Sequence, residues 1–501
     1  MTQTRLTMLA AVSGGAQLPG YQPQLHGVGI VHLGFGAFHR AHQAVMTDDA
    51  LAKHGGNWRI AGVSLRSTEG ADCLNKQNGL YTLLERSQSA TTARVIASID
   101  HVIGADAKAT LALLSEATIR IVTLTVTEAG YGINRESRLP DADYSVVAND
   151  LSDPENPTGV LGLIVASIVR RRESGIVPFT VLSCDNLPGN GALLRDGVVG
   201  FARAVYGDEL ADWIRNDIAF PNSMVDRITP ASTQSTLLEA ARQTGCDDRS
   251  AVETESFTQW IIEDNFTSGR PQWEAGGALF VNDVTPYERM KLTMLNGAHS
   301  MLAYAGFLAG CTHVRDVMQD EALSLLVSRH IRAAASVLKP LPSVDFNEYA
   351  LVLLDRFANP AIAHETYQIA TDGTQKIPQR IFEPALAAMD AGHDIRPYAF
   401  ATAMWMRFCL QRSDEGARFE LRDPRATEIT AAISSAEQYP KALSYHFHLL
   451  PNFIPKRLAN NDQWRADIDD VLGTAMSAGC RAAITREADA VKAPNTFNLA
   501  L

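Results

Sequence analysis

Six residues, Gly34-Phe35-Gly36-Ala37-Phe38-His39, constrain the fold of this chain more than any others. They follow a glycine-bounded apolar run, Ile30 to Leu33 in GVGIVHLGFG, and precede a helical stretch, FHRAHQAVMTDDALAKH, that Gly55 ends. Strand, glycine turn and helix in that order form the opening of a dinucleotide-binding fold. Such a site brings backbone N–H groups against a pyrophosphate at a helix N-terminus, and only residues without a Cβ permit the approach. The third glycine of the GxGxxG pattern, which serves helix–strand packing, is replaced here by His39. A plain strand–helix turn is the competing reading, and the position between a first strand and a first helix favours the nucleotide site.

The rest of the first half continues the alternation. Trp58 to Val63 is a second apolar run, Thr118 to Val126 (TIRIVTLTV) is rich in β-branched residues, and Phe179 to Cys184 (FTVLSC) repeats the pattern. Such runs suit strands buried on both faces. Helical stretches at Ala109–Ser115 and Gly159–Arg172 lie between them, so a parallel sheet covered by helices is expected. After about residue 286 the segments become helical: Tyr287–Leu308, Ala322–Leu338, Asn347–Phe357, Ile381–Met389, Tyr398–Leu410 and Asp467–Ala488. Pro286 suits a first helical turn, where its missing N–H is harmless. The expected fold class is α/β, with a Rossmann-type dinucleotide-binding domain over residues 1–285 and a mostly α-helical domain over 286–501. A chain of 501 residues has room for two to four domains and for large cores without metal or disulfide staples.

Composition narrows the partners. With 44 Lys+Arg against 56 Asp+Glu the net charge is -12, and no basic block exceeds Arg170-Arg171-Arg172, which reads as a solvated helix end. Nucleic acid and anionic membrane surfaces are therefore not expected as partners. Six cysteines at 73, 184, 246, 311, 409 and 480 lack CxxC spacing, as expected of reduced thiols in a cytoplasmic protein. No metal site is expected: the pairs His39/His42 and His446/His448 have ligand-like spacing, but the sequence fixes no carboxylate or cysteine beside them. Met1 to Pro19 has one Arg and a short apolar patch, Met8–Val12, too interrupted for a signal segment, and no stretch reaches membrane-spanning length.

Two places carry candidate chemistry. Past the second strand, Glu69 in LRSTEG suits the ribose diol and favours NAD over NADP, whereas Arg66 argues the other way. A solvated loop explains both charges equally well. In KLTMLNGAHS, Lys291 lies among Met290, Leu292 and Met294, where desolvation would make it useful as a general base. At about 100° per residue, His299 falls about 80° from Lys291 but Asn296 about 140° from it, off its face unless Gly297 loosens the turn. A glycine inside an apolar helix costs about 1 kcal/mol relative to alanine and signals a close backbone approach. Asn186, in Ser183-Cys184-Asp185-Asn186, follows the end of a strand, where open α/β sheets bind ligands.

These segments together resemble one family, the long-chain polyol dehydrogenases, which include mannitol 2-dehydrogenase and fructuronate reductase. The resemblance runs through IVHLGFGAFHRAHQ (30–43), LTVTEAGY (124–131), SCDNLPGNG (183–191), FPNSMVDRITP (220–230), FTQWIIEDNF (257–266), GRPQWE (269–274), KLTMLNGAHS (291–300) and DGTQKIPQR (372–380). It implies a cleft between the two domains for NAD and an open-chain sugar derivative, and metal-independent catalysis. By position it makes Lys291 the general base, Asn186 and Asn296 the pair that polarises the reacting oxygen, His299 a substrate-orienting residue and Glu288 a carboxylate aiding proton exchange. It sets Gly34, Phe35, Gly36, Ala37, Phe38, Arg40, Glu128 and Asp226 beside the cofactor, and Lys376 in contact with substrate. Gln368 stands where the mannitol branch has an arginine, and the PQR ending at Arg380 is similar to the fructuronate reductase branch, while FPNSMVDRITP is closer to the mannitol branch. Lys376 or Arg380 would serve a substrate carboxylate, unless Arg380 caps a loop and the substrate is neutral.

The sequence thus predicts an NAD-dependent oxidoreductase of a polyol or hexonate, acting as a monomer or weak homo-oligomer, with D-mannonate/D-fructuronate ahead of D-mannitol/D-fructose. Two other classes compete: a nucleotide-binding regulatory protein without catalysis and a metal-dependent alcohol dehydrogenase. The Lys291, Asn296 and His299 set speaks against the first, because a sensor needs no base.

Overall fold

Burial along the first strands alternates with period two. Val31, Leu33, Val122, Leu124 and Val181 enter one core, whereas Ile30, Ile60, Ile121 and Leu182 enter another. A sheet with apolar side chains on both faces must be covered on both, which a parallel sheet with crossover helices achieves. The structure is a computed structural model that describes residues 4–342, 344–434, 436 and 439–492. It divides into two units, Met1–Thr285 and Pro286–Leu501.

Among the described residues the first unit has eleven strands: β1 (Val28–Leu33), β2 (Arg59–Val63), β3 (Tyr81–Arg86), β4 (Thr91–Ile96), β5 (Ile99–Ile103), β6 (Ile121–Leu124), β7 (Thr180–Ser183), β8 (Ser223–Asp226), β9 (Val252–Glu255), β10 (Gln259–Glu263) and β11 (Leu279–Val281). The central sheet is parallel, ordered β5-β2-β1-β6-β7. Successive strands are added to one side of β1 up to β5 and to the other from β6 on, so the crevice beyond the C-terminal ends of β1 and β6 is the topological switch point where such sheets bind ligands. Helices Val160–Glu173 and Asn190–Tyr206 fill one core, and Gln43–His54 lies in the other.

Two small sheets, β4-β3-β9 and β11-β10-β8, accompany the central one. They were not expected from the sequence, because their strands are short and partly charged, as in TTARVI and VETE. The first helix is interrupted. Ala37–Ala41 and Gln43–His54 meet at His42, whose φ of -125° and ψ of -87° leave the helical region and whose Nε2 lies 2.9 Å from the Gln259 carbonyl.

In the second unit the helix Gly297–Leu308 is buried almost all round, which an apolar helix at the centre of a bundle requires. It packs against Glu321–Ser336 and Arg396–Phe408. Arg396 ties outer helices together through Asp467 at 3.0 Å, Asp470 at 2.7 Å and Glu487 at 2.7 Å. The stretch expected as one helix, 467–488, is two: Asp462–Ser477 and Cys480–Lys492. Gly479 at φ +92° breaks it. Residues 291–296 and 378–382, expected as ordinary helix or loop, are both π-helical turns. All six cysteines are free. No helix of the described residues is long and apolar enough to cross a membrane.

Candidate active site

In the first unit the glycine turn sits at the switch point. Gly34 and Phe35 both donate N–H to the Val63 carbonyl at 3.0 Å, and Thr125 donates to Leu33 at 2.9 Å, which pins the loops after β1, β2 and β6 together. Gly34 has φ +92°, and a Cβ there would stand 2.0 Å from the Thr125 carbonyl oxygen. Only glycine satisfies both demands. Gly36 caps the helix Ala37–Ala41 with no side-chain hydrogen bond, so the first N–H groups of that helix keep their capacity to donate. A Cβ on Gly36 would meet only the Gly34 oxygen, at 3.8 Å. An uncapped helix start behind an open glycine fits a pyrophosphate.

His39, in place of the third glycine, stacks on His32 of β1 with ring centroids 3.4 Å apart and planes at 15°. The close helix–strand packing a glycine provides elsewhere is here a ring–ring contact. Burial keeps both rings neutral, pushing His32 down to about 3 and His39 well below the usual histidine range. Phe35 covers β2 at Gly62, where a Cβ would come within 2.4 Å of its ring. Phe38 stacks on His42 at 5.2 Å. Arg40 differs from expectation. Its guanidinium donates inward to the Ser250 carbonyl and lies 5.7 Å from the Tyr81 ring, whose hydroxyl donates to the Arg40 carbonyl at 2.6 Å. It braces the turn from behind, because the segment at 250 offers it an acceptor in the interior.

Arg66 and Glu69 are exposed beyond the end of β2, Glu69 opening the helix Glu69–Asn75. Glu128 lies in the helical turn Glu128–Tyr131, and its side chain is outside what is described. Asp226 ends β8, which belongs to a small sheet rather than the central one. Asn186 is exposed, three residues past the end of β7. Its neighbour Asp185 fastens the loop: Oδ2 accepts from the Tyr131 hydroxyl and from the Val126 N–H at 3.0 Å. Burial pushes the Asp185 carboxyl up to about 6.

The second unit gathers Lys291, Asn296 and His299. Residues 291–296 form a π turn, and the wider i→i+5 spiral, about 4.4 residues per turn, advances about 82° per residue. Asn296 therefore falls about 50° from Lys291 rather than about 140°, and His299, three α-helical steps on, lies almost directly above Lys291. The turn gives one face to three residues that an α-helix would spread. Glu288, one turn earlier, shares that face by i, i+3 spacing. Lys291 is 8% exposed, a buried lysine on a largely apolar turn.

Gly297 marks a close approach. A Cβ there would lie 2.9 Å from the Arg380 carbonyl oxygen and 3.2 Å from His330 Nε2. Arg380 belongs to the second π turn, Pro378–Phe382, and its Nη1 donates to Ser300 Oγ at 3.3 Å and the Asn296 carbonyl at 3.5 Å. Burial pushes Arg380 down to about 10. Lys376 donates to the Thr371 carbonyl at 2.8 Å, with Asp372 at 3.9 Å. Burial and the Arg380 charge lower its affinity for a proton. Gln368 is exposed, its carbonyl accepting from the Thr371 hydroxyl at 3.0 Å.

Sequence reasoning missed two neighbours of His299. His364 meets it edge to face, 5.5 Å between centroids, and Arg356 lies close enough to hold its basicity down. Burial first, then the neighbouring His364 and the Arg356, Arg380 and Lys291 cations, keep His299 neutral. Neither newcomer has a motif of its own, because the loop carrying His364 reaches the site through pairing of Glu365 with His313. Among the described residues no group of three or more His, Cys, Asp or Glu side chains is placed to hold a metal. His42 and His448 have backbone partners, the Gln259 carbonyl at 2.9 Å and the Ser444 carbonyl at 2.7 Å.

A five-stranded parallel sheet with an uncapped glycine turn at its switch point, and a helical unit built round a buried lysine, define a dinucleotide-binding oxidoreductase of two units. The chain belongs to the mannitol dehydrogenase family: residues 28–275 match the mannitol dehydrogenase Rossmann domain and residues 283–449 its C-terminal domain. It is 40% identical to the D-mannonate oxidoreductase of Escherichia coli (strain K12), over 80% of this chain and 84% of that protein. It is likewise 40% identical to a mannitol 2-dehydrogenase of Pyrenophora tritici-repentis (strain Pt-1C-BFP), over 81% of this chain and 74% of that one. Among solved structures, the Pseudomonas fluorescens mannitol 2-dehydrogenase in complex with NAD and D-mannitol superposes with a TM-score of 0.81 at 34% identity, covering 99% of this chain and all of that one.

Proposed function

We propose that this enzyme interconverts a secondary alcohol of a straight-chain polyol or hexonate with the keto sugar, using NAD in preference to NADP, and that its substrate pair is D-mannonate and D-fructuronate. The observation that carries the anionic substrate is the set of cations acting on the two imidazoles, with Lys291, Arg356 and Arg380 about His299 and Lys376 about His364. A field of that sign attracts a hexonate carboxylate more than a neutral polyol.

Gly34, Phe35, Gly36, Ala37 and Phe38 would hold the pyrophosphate, Glu69 the ribose diol, and Arg66, Glu128 and Asp226 the surroundings of the cofactor. Bound NAD supplies the two-electron acceptor for the carbinol carbon. The Lys291 amine takes the hydroxyl proton, and Glu288 passes it toward solvent. Asn186 and Asn296 donate amide N–H groups to the developing alkoxide, the role a metal ion plays in other dehydrogenases. His299 orients a neighbouring hydroxyl, and Lys376 and Arg380 face the carboxylate. Gln368 is a further residue on the substrate side.

The test is an initial-rate panel with NADH and NADPH against D-fructuronate, D-tagaturonate, D-fructose and pentuloses. A kcat/KM for fructuronate above that for fructose, and for NADH above NADPH, is expected. Far more efficient reduction of fructose would replace this reading by the mannitol/fructose one, which the likeness to mannitol 2-dehydrogenases favours. Glu69→Ala should narrow the NADH preference, and an unchanged preference removes its ribose role. Activity surviving a chelator is expected and would exclude the metal-dependent class.

A further inference from the structure

The loop that carries Asn186 hangs on one half-buried carboxylate. Asp185 Oδ2 accepts from the Val126 N–H at 3.0 Å and from the Tyr131 hydroxyl, which also lies 2.6 Å from Ser183 Oγ. Val126 follows β6, Tyr131 closes the turn Glu128–Tyr131, and Ser183 ends β7. One side chain thus ties the loop after β7 to the loop after β6, its neighbour in the central sheet. The backbone of residue 185 is held from another side. Its carbonyl accepts from the Leu187 N–H at 2.8 Å and from Asn190 Nδ2 at 3.0 Å, and Asn190 also donates to the Ser223 carbonyl at 2.8 Å. Asn186 itself is exposed, and the residue before it is the anchored one.

The clamp depends on charge. An ionised carboxylate is the stronger acceptor for both donors, whereas a carboxylic acid accepts less well and brings a proton that the Val126 N–H cannot use. Burial pushes the Asp185 carboxyl up to about 6, while the Tyr131 and Val126 bonds hold it down. Among the described residues no cation pairs with it. Its titratable neighbours Tyr131 and Cys184 are pushed up by burial and by the Asp185 charge, so neither ionises between pH 5 and pH 8. We propose that Asp185 is a positioning residue: its carboxylate, by holding the Val126 N–H and the Tyr131 hydroxyl, fixes the loop from which Asn186 donates to the reacting oxygen. The inference rests on the role given to Asn186 above. Losing a polarising donor costs about 10²- to 10³-fold in kcat, and holding one loosely costs about tenfold.

The experiment follows ketone reduction by the full-length enzyme with NADH from pH 5 to pH 8, at room temperature and with the fold checked by circular dichroism at each pH. The ketone is whichever of D-fructuronate and D-fructose the wild type reduces better. In this direction Lys291 delivers a proton, so acid favours its working form and a loss of rate on the acid side belongs to another group. The wild-type kcat should be flat above about pH 7 and fall below about pH 6. Asp185→Asn resembles the protonated acid in shape and charge. Its kcat should lie about tenfold below wild type at pH 8, with no acid limb and with KM for the ketone nearly unchanged, because the interaction belongs to the transition state. Tyr131→Phe removes a bond to the charged form, so its acid limb should move to higher pH, which assigns the limb to Asp185 rather than to Glu128 on the same turn. An Asp185→Asn variant with wild-type kcat at pH 8, or with the wild-type acid limb, overturns the positioning role, as does a wild-type kcat flat down to pH 5. Asn186→Ala separates the two readings. If its kcat equals the wild type's, the role of Asn186 falls and this inference with it; a loss there without one in Asp185→Asn overturns Asp185 alone. Should Asp185→Asn not fold, as judged by its melting transition, Tyr131→Phe decides, and an acid limb that stays in place or moves to lower pH overturns the proposal.

Discussion

At the scale of single residues, the chemistry depends on where a few polar groups lose water. Lys291 is buried in a turn with Thr293, Met294 and Leu295, and Lys291→Met keeps the length of the side chain while removing the amine. That variant should fold, bind NADH as the wild type does, and lose about 10²- to 10⁴-fold in kcat, read from steady-state rates beside a fluorescence titration of NADH. Turnover near the wild-type rate would remove the lysine from the mechanism. Asp185 shows how position is fixed one residue away from a candidate polar group, since it clamps the strand-end loops that carry Asn186. The residues of the glycine turn and of the lysine helix were legible in the sequence because each needs a particular side chain at a particular spacing. His364 and Arg356 were not, because their place depends on pairing between loops distant in the chain.

At the scale of elements, the decisive device is the pair of π turns packed against one another through Gly297 and Arg380. Gly297→Ala gains about 1 kcal/mol of helix propensity but forces a Cβ against the Arg380 carbonyl at 2.9 Å, a clash of about 1–3 kcal/mol. The expected result is a lower melting temperature, together with a fall in kcat because Asn296 and Arg380 shift. A variant more stable than the wild type would show that the approach is not limiting. Four of the five central strands were readable from their apolar runs, β5 with its IDHVI being the exception, and the helix boundaries from Pro286 and Gly55, whereas the π turns were not. Periodicity assumes 3.6 residues per turn, so it set Asn296 off the Lys291 face, and only Gly297 hinted otherwise. The small sheets were missed for a related reason: strands such as VETE take their stability from neighbours, not from their own pattern.

At the scale of the whole molecule, acid sensitivity follows from buried neutral histidines. His32, held at about 3, and His330, held at about 4, both by burial, lie below the ordinary histidine range, as do His39, His299, His364 and His448. The unfolded chain takes up these protons first as pH falls, so the stability is complete above about pH 6.5 and is lost progressively below it. His32 alone accounts for roughly 2 kcal/mol between pH 7 and pH 5. Burial raises Asp185 and Asp48, which works in the opposite sense, since the folded state accepts their protons more readily as pH falls. Asp150 and Asp467 are raised in the same way, and the six lowered histidines outnumber these four carboxylates, so the melting temperature should drop between pH 7 and pH 5, and His330→Phe should reduce the drop. A melting temperature flat over that interval would refute the account.

The first π turn also bears on how relatives of this chain are compared. A π turn is an α-helix carrying one surplus residue, and an aligner that scores only helical continuity can shift the segment by one position without introducing a visible gap. Such a slip would pair Asn296 with a neighbouring residue in a relative and make a retained amide look substituted. Lineages that lose or gain this one residue would keep a helix of nearly the same length and still exchange a working set of side chains for a scrambled one.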